Sequence, residues 1–253
     1  MLRLPGAGTE TLVDRSHETH NHRIAATLGI APAVIHGEAD GLLVTRHIAD
    51  ATPLDATAAA APRNLAEVGA MLAKLHRSGG HFLGERHVFA DLDRYIAAAG
   101  PSGDGVVEQL RRKAEPARRV LEERAEAFVP SHIDPSPANF IRGEGRLWLI
   151  DWEYAAMAEP GWDLAGFVAE AGLDVESIVA LLAAYGRPAD AAGLARIALW
   201  GLALDLLAVA WARLRLQADG DRSLAAMMAD RSSRASAYVA STGYRHALGA
   251  LGR

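Results

Sequence analysis

The sequence contains no cysteine among its 253 residues, so disulfides, thiolate metal sites and cysteine nucleophiles are excluded. It also lacks a Lys/Arg-rich run, and its net charge of -5 and pI near 6.1 argue against nucleic acid or an anionic membrane as the main partner. A cationic partner suits this charge mildly better. The first five residues have neither the basic start nor the apolar core of a signal peptide. We therefore expect a cytoplasmic protein.

The chain has enough apolar content, 50% of its residues, to bury the core of one or two closely packed lobes. One segment, residues 197–212, reads IALWGLALDLLAVAWA. It is interrupted by Asp205 and bracketed by Arg196 and Arg213, and it is short for a bilayer. We interpret it as a buried bundle helix, so no membrane partner is expected. The sequence does not indicate an oligomeric state.

The most informative stretch is a His-x-Asp-x-x-x-x-Asn pattern formed by His132, Asp134 and Asn139. Twelve residues after Asn139, Asp151 closes the apolar run Leu-Trp-Leu-Ile. This spacing is typical of a kinase catalytic loop and its metal-binding aspartate.

Phosphoryl transfer explains why these residue types are needed. A carboxylate must take the proton of the attacking hydroxyl, and oxygen ligands must hold Mg²⁺ against the phosphates. Asp134 is the candidate base, and Asn139 and Asp151 are the candidate ligands. Residues 139–142 and 146–151 are predicted to form a hairpin around a turn at 143–145, which would bring Asn139 and Asp151 together.

Two further polar residues have structural interpretations. His132 is expected to bond backbone and hold the loop, since Asp134 already fills the role of base. Asp163 is expected to accept hydrogen bonds that brace the loop rather than to bind metal.

The blocks SHIDPSPANFI (131–141) and LIDWEYAAMAEPGWDLAGF (149–167) resemble the choline/ethanolamine kinase family within the protein-kinase-like aminoglycoside phosphotransferase superfamily. Residues 2–36, LRLPGAGTETLVDRSHETHNHRIAATLGIAPAVIH, resemble in particular the choline kinases of bacterial surface-glycan pathways. The resemblance implies an α+β, two-lobe fold. Residues 1–50 would form a small β lobe lacking its first hairpin, and 51–253 a mainly helical lobe with the catalytic loop and acceptor pocket.

The resemblance also implies a function. The protein would use ATP and Mg²⁺ to phosphorylate the hydroxyl of a small amino alcohol such as choline or ethanolamine. Arg3 would be the strand cation that reaches the ATP phosphates, and Glu18 the helix carboxylate that orients it. The segment 45–61 would contain the hinge, whose backbone meets adenine, and the linker to the helical lobe.

Aromatic residues point to the acceptor. Trp200 and Trp211 lie on one stripe of a predicted helix and form either core packing or a wall for a quaternary ammonium group. Choline-type members of the family resemble D-L-L-W-x-x-W here, whereas this chain has Ala208 in place of the first Trp, which weakens the case for choline. Glu153, Tyr154 and Trp162 are further acceptor candidates, and Glu153 could instead contact a second Mg²⁺.

Three functions stay open. The first is the amino-alcohol kinase, and the second is a kinase for an aminoglycoside or another small alcohol. The third is a catalytically silent binding module. In the resembled family a hairpin over the ATP phosphates precedes the Arg3 strand, and this chain begins within that strand. Either the true start lies upstream of this sequence or the hairpin has been lost, and the binding module corresponds to the second case. Gly6-Ala7-Gly8 before a helix is an alternative phosphate-binding loop.

The remaining pattern predicts mainly helices. A helix over 9–28 precedes strands at 33–37 and 42–48, and another helix begins at Pro62. Pro116 is expected to kink or split a long charged helix over 106–128. The other predicted helices are 91–99, 162–171, 175–185, 189–216 and 222–251.

Overall fold

The computed structural model describes residues 1–3, 15–38, 41–101, 105–219 and 223–252. The Gly6-Ala7-Gly8 segment and the start of the helix predicted over 9–28 lie outside these ranges. Internal contacts divide the chain into two units, one of Met1–Arg86 with Glu126–Ala189 and one of His87–Ala125 with Asp190–Arg253. This division differs from lobes separated at residue 50, which stay a prediction.

The first unit mixes short strands and helices, and the α+β class predicted from the sequence is confirmed. Its described strands are β1 (Leu2–Arg3), β2 (Val34–Gly37), β3 (Leu43–Thr45), β4 (Thr52–Pro53), β5 (Val129–Ser131), β6 (Phe140–Gly143), β7 (Arg146–Leu149) and β8 (Ala156–Ala158). They pair antiparallel in three sheets, ordered β1-β3-β2, β4-β6-β7 and β5-β8. The helices are numbered in chain order through both units. Those of the first unit are α1 (Arg15–Thr27), α2 (Ala56–Ala59), α3 (Pro62–His76), α6 (Pro160–Ala171) and α7 (Val175–Tyr185).

The hairpin of β6 and β7 has the predicted position. Its two turn residues, Glu144 and Gly145, have φ of 54° and 77°, as a tight hairpin turn with left-handed central residues requires. Beyond the strands, the N–H of Ile150 donates to the carbonyl of Asn139 at 3.0 Å. The open end of the hairpin therefore places Asn139 beside the residue that precedes Asp151.

Strand β4 was not predicted, because Thr52 and Pro53 were assigned to the linker. Two residues carry no alternation pattern, and only the edge of β6 makes them a strand. Strands β5 and β8 were also missed, because each has only three residues, too few to show alternation, and is a strand through its pairing with the other.

Helix α1 buries an unusually polar face. Its buried residues include Arg15, Glu18, Asn21 and His22, which share one side of the helix through their three- and four-residue spacings. A surface helix normally turns an apolar stripe inward, so α1 is held in place largely by hydrogen bonds and ion pairs.

The described part of the second unit contains five helices: α4 (Val88–Ala99), α5 (Val106–Glu123), α8 (Ala191–Asp219), α9 (Ser223–Ala240) and α10 (Thr242–Leu251). Helix α8 contacts each of the other four. Its residues Ala191–Gln217 are long and apolar enough to cross a membrane, yet 56% of the most apolar window is buried inside the protein. The contacts agree with the predicted buried bundle helix.

The predicted split of the long charged helix at Pro116 and the single helix predicted over 222–251 were both wrong. Pro116 lies inside α5, which is one helix that ends at Glu123, and the alternative expectation of a kink at Pro116 stays a prediction. The buried stripe of α5, including Leu110, Ala114 and Leu121, packs in the unit and outweighs the one backbone hydrogen bond that proline removes. Residues 222–251 form two helices instead of one, because the hydroxyl of Ser241 accepts the N–H of Tyr244 at 3.1 Å and caps α10.

Helices α3 and α7 pack closely at Gly69. A Cβ atom there would lie 2.7 Å from the Cβ of Ala184 and 2.8 Å from the carbonyl oxygen of Leu181. Gly69→Ala is therefore expected to lower the free energy of unfolding by about 1–3 kcal/mol through overpacking. The measurement is urea unfolding followed by circular dichroism.

Gly201 in α8 is the matched control, since a Cβ there meets nothing within 4 Å. Gly201→Ala should be neutral or stabilising by roughly 0.5–1 kcal/mol, the helix penalty of glycine. Equal stabilities for the two variants would show that α3 and α7 do not pack as closely as described.

Candidate functional site

The loop after β5 carries a backbone conformation that only its surroundings can maintain. Ile133, between His132 and Asp134, has φ of 75°, a left-handed conformation that costs a β-branched residue about 1–3 kcal/mol. Asp163, in the first turn of α6 and 0% exposed, accepts the backbone N–H groups of His132 and Ile133, each at 2.8 Å. These two bonds fix the loop, in agreement with the bracing role expected for Asp163.

Asp163 is itself held by a buried chain of side chains. His76 in α3 places Nε2 3.0 Å from Oδ2 of Asp163 and Nδ1 2.9 Å from the hydroxyl of Tyr185 in α7. Burial alone would raise the pKa of Asp163. The hydrogen bonds from His76 and from the backbone of His132, with the charge interactions of both imidazoles, instead hold that pKa below its ordinary value.

Asp134 and Asn139 are joined directly. The amide Nδ2 of Asn139 donates to the backbone carbonyl of Asp134 at 2.8 Å and to its carboxylate Oδ2 at 3.2 Å. Burial raises the pKa of the Asp134 carboxyl, and the charges of Asp151 and Glu170 raise it further, against the opposing effects of His132 and Asn139. A carboxylate with a raised pKa is better suited to accept a proton.

Asp151 lies just past the end of β7, with φ of 64°. The ring of His132 reaches this segment, because its Nε2 donates to the carbonyl of Ile150 at 2.8 Å. The ring also packs edge-on against Trp152, with centroids 4.7 Å apart. His132 thus ties the catalytic loop to the residues on both sides of Asp151.

Asn139 and Asp151 carry the kind of oxygen atoms that would suit a Mg²⁺ ion also bound by phosphates. Among the described residues no group of three or more His, Cys, Asp or Glu side chains could hold a metal by itself. The amide N–H of Asn139 donates to Asp134, so its amide oxygen is the atom that could bind a metal. Asp151 offers a carboxylate. Mg²⁺ is commonly held by one or two carboxylates plus phosphates and water, so a two-residue protein site is sufficient.

A cavity of about 400 Å³ adjoins Asp151 within the first unit. Its walls include Leu43, Ile48, Ile141 and Ile150, together with the carboxylate of Glu18. Its size is in the range of small-molecule sites. Residues 46–48 of the expected hinge also line it.

Glu18 and Arg3 were predicted to act at the ATP phosphates, and the structure describes only the first of these two side chains. Glu18 is 3% exposed and accepts from Arg15 at 2.9 Å. Arg3 pairs with Leu43 in the small sheet, but its side chain lies outside the described part of the structure. The pairing of Arg3 with Glu18 therefore stays a prediction.

Glu153 and Tyr154 line a second, smaller cavity of about 190 Å³. Trp162 is buried, donates its indole N–H to the carbonyl of Ile133 at 3.0 Å, and has the guanidinium of Arg86 5.8 Å from its ring centroid. The observed contacts of Trp162 thus serve the catalytic loop. Contact of these side chains with an acceptor stays a prediction.

The two aromatic residues of α8 belong to the second unit. Trp200 is 2% exposed in its core, and Trp211 is half-buried. Their contribution to an acceptor wall also stays a prediction.

Sequence reasoning missed the contributions of Arg15, His76 and Tyr185. Arg15 precedes Glu18 by three residues, the spacing of a helix ion pair, and that signal could have been used. His76 is the last residue of α3, and nothing local in the sequence indicates its bonds to Asp163 and Tyr185.

The loop, the two candidate ligands at the hairpin and the cavity together resemble the site of a protein-kinase-like phosphotransferase. The sequence model of choline/ethanolamine kinase matches residues 1–181, and the chain belongs to that family. Protein LicA of Haemophilus influenzae (strain ATCC 51907 / DSM 11121 / KW20 / Rd) is 27% identical over 192 residues, which are 73% of this chain and 71% of LicA.

Solved structures agree with the family and the fold. A choline/ethanolamine kinase family protein from Mesorhizobium loti superposes with a TM-score of 0.89 at 29% identity, covering 99% of this chain and 85% of that one. Choline kinase LicA from Streptococcus pneumoniae gives 0.82 at 25% identity, covering 94% and 85%. Aminoglycoside 2'-phosphotransferase-IIIa shares the fold, with a TM-score of 0.68 at 14% identity over 93% and 85%. The family predicted from the sequence is confirmed.

The bracing of the loop predicts an acid-dependent stability. Asparagine has one side-chain oxygen, so it cannot accept both backbone N–H groups as the two carboxylate oxygens do. Asp163→Asn should therefore lose about 1.5–3 kcal/mol of unfolding free energy at neutral pH. Because the folded-state pKa of Asp163 is lowered, its contribution is complete above about pH 4, the ordinary value for aspartate. It is lost as the pH falls through the folded-state pKa.

Urea unfolding of wild type and variant at neutral pH and below about pH 4 measures this difference, which should shrink in acid. Asp50→Asn is the control, because Asp50 is exposed and its left-handed φ of 49° is tolerated by asparagine. A difference that is independent of pH would contradict the assigned role of the Asp163 carboxylate.

Proposed function

We propose that this protein transfers the γ-phosphoryl group of ATP to the hydroxyl of a small amino alcohol, such as choline or ethanolamine. The arrangement of three side chains carries the proposal. Asn139 bonds the carboxylate of Asp134 through its amide, and its carbonyl accepts the N–H of Ile150, the residue before Asp151. Asp151 in turn lines the cavity of about 400 Å³. A candidate base and two candidate metal ligands thus lie together in a member of the choline/ethanolamine kinase family.

Each residue has a distinct task in this mechanism. The Asp134 carboxylate accepts the proton of the acceptor hydroxyl as the oxygen attacks phosphorus. Asn139 keeps that carboxylate oriented through Nδ2 and, with Asp151, would hold Mg²⁺. When bound, the metal supplies positive charge that offsets the charge of the transferred phosphoryl group. The strained His132–Asp134 loop, fixed by Asp163, gives the base a single position.

Charge supports a cationic acceptor. The carboxylates of Asp151 and Glu170 act on Asp134, and the whole chain carries a net charge of -5. Negative potential around a site favours cationic ligands. The described relatives include a choline kinase, LicA of Streptococcus pneumoniae, which supports choline or ethanolamine over an aminoglycoside.

Replacing the base while keeping its shape tests the chemistry. Asp134→Asn should lower kcat by about 10²–10⁴-fold, the usual contribution of general base catalysis, in a coupled assay of ADP release. Asp50→Asn is the matched control, since Asp50 is exposed and its left-handed φ of 49° is tolerated by asparagine. Near-normal turnover in Asp134→Asn would remove Asp134 from the role of base.

The same assay identifies the acceptor class. ADP release that depends on choline or ethanolamine supports the proposal, and release that depends only on an aminoglycoside would contradict it. Nucleotide binding without ADP release for any of these alcohols would identify a catalytically silent binding module instead.

The metal role of Asp151 has its own test. Asp151→Asn should weaken binding of a non-hydrolysable ATP analogue in Mg²⁺ and leave binding in EDTA unchanged, because asparagine fits the left-handed backbone but removes the ligand charge. Calorimetric titrations with and without Mg²⁺ measure both affinities. An unchanged effect of Mg²⁺ in this variant would exclude Asp151 as a ligand.

A further inference from the structure

Arg15 joins two carboxylates that are far apart in the sequence. Its Nη1 donates to Oε2 of Glu18 at 2.9 Å and to Oε2 of Glu153 at 3.1 Å. All three side chains are largely withdrawn from solvent, with exposures of 8%, 3% and 17% for Arg15, Glu18 and Glu153. Two carboxylates buried this close together repel each other unless a cation lies between them.

The surroundings keep the guanidinium in this position. A Cβ at Gly41 would lie 2.9 Å from Cγ and Cδ of Arg15. Only glycine therefore leaves room for the arginine stem, and Gly41 has φ of 98°, which side chains rarely adopt. The arginine stem thus lies close against Gly41, which limits the freedom of its charged end.

Arg15 belongs to a longer polar contact between α1 and the segment after Asp151. Farther along the helix, Nδ2 of Asn21 donates to the carbonyl of Ala155 at 2.7 Å. The ring of His22 packs against Trp152, with centroids 6.2 Å apart. The polar face of α1 is thus bound along residues 152–155, which directly follow the metal-ligand candidate.

Both partners of this contact face the large cavity. Glu18 and His22 line it from the helix side, and Asp151 and Trp152 line it from the strand side. A shift of α1 against residues 151–155 would therefore change the relative placement of the two walls. Misplacement by about an ångström is enough to cost on the order of a hundredfold in rate.

We propose that Arg15 is a positioning residue for phosphoryl transfer: by bonding Glu18 and Glu153 together, it sets the distance between helix α1 and the metal-binding segment that begins at Asp151. This rests on the proposed function. It assigns to Arg15 no contact with substrate.

The test compares Arg15→Gln and Arg15→Lys with the wild type. Arg23→Gln is the matched control, since Arg23 is exposed on the same helix. Kinetics are measured at a temperature where circular dichroism shows each variant folded. Calorimetry measures how much Mg²⁺ strengthens binding of a non-hydrolysable ATP analogue.

Arg15→Gln is expected to lower kcat by about tenfold to a hundredfold with a small change in the KM of the acceptor. The strengthening of nucleotide binding by Mg²⁺ should fall with it. Arg15→Lys keeps the charge and should recover part of kcat and part of the Mg²⁺ effect. It becomes the decisive variant if Arg15→Gln does not fold. Arg23→Gln should match the wild type.

A folded variant with unchanged kcat and an unchanged effect of Mg²⁺ would reduce Arg15 to a structural residue. If the wild type binds the analogue but releases no ADP, the proposed function fails and with it a role of Arg15 in phosphoryl transfer. The effect of Mg²⁺ on binding then still decides whether Arg15 positions α1 against the segment that begins at Asp151. A wild type that binds no nucleotide overturns both.

Discussion

The site depends on one carboxylate, Asp163, that accepts two consecutive backbone N–H groups. Those bonds offset the cost of the left-handed backbone at Ile133 and thereby aim the next residue, Asp134. Their strength depends on the carboxylate remaining charged although it is fully buried. The hydrogen bond from His76, itself joined to Tyr185, helps to keep it so. A carboxylate buried in this way fixes the geometry of the loop, and replacing it would leave its hydrogen-bond donors without a partner.

The second constraint is the hairpin that follows the loop. Its tight turn fixes the register of β6 and β7, and the register brings Asn139 next to the end of the strand that leads to Asp151. His132 bonds the carbonyl of Ile150, so the loop and the hairpin cannot shift independently. The candidate base and the candidate metal ligands are thus placed by short-range backbone pairing. Helix α1 is attached to the same segment by side chains, chiefly Arg15 and Asn21.

These two kinds of attachment explain what could be predicted from the sequence. The hairpin and the roles considered for Asp134, Asn139 and Asp151 follow from turn residues, alternation and spacing within about twenty residues, which is local information. The bond between Arg15 and Glu153 spans 138 positions, and no local pattern indicates it. Strand β4 and the break at Ser241 were missed because a two-residue pairing and a single capping hydroxyl leave weak traces in a sequence. Pro116 did not split α5, because tertiary packing of that helix outweighs local propensity.

The central claim is that this site moves a phosphoryl group from ATP to an amino alcohol. The most direct measurement is ³¹P NMR of a mixture of the protein, ATP, Mg²⁺ and either choline or ethanolamine. The account predicts a new phosphomonoester resonance of the acceptor that grows in step with ADP. Unchanged ATP, or ADP accompanied only by inorganic phosphate, would contradict it.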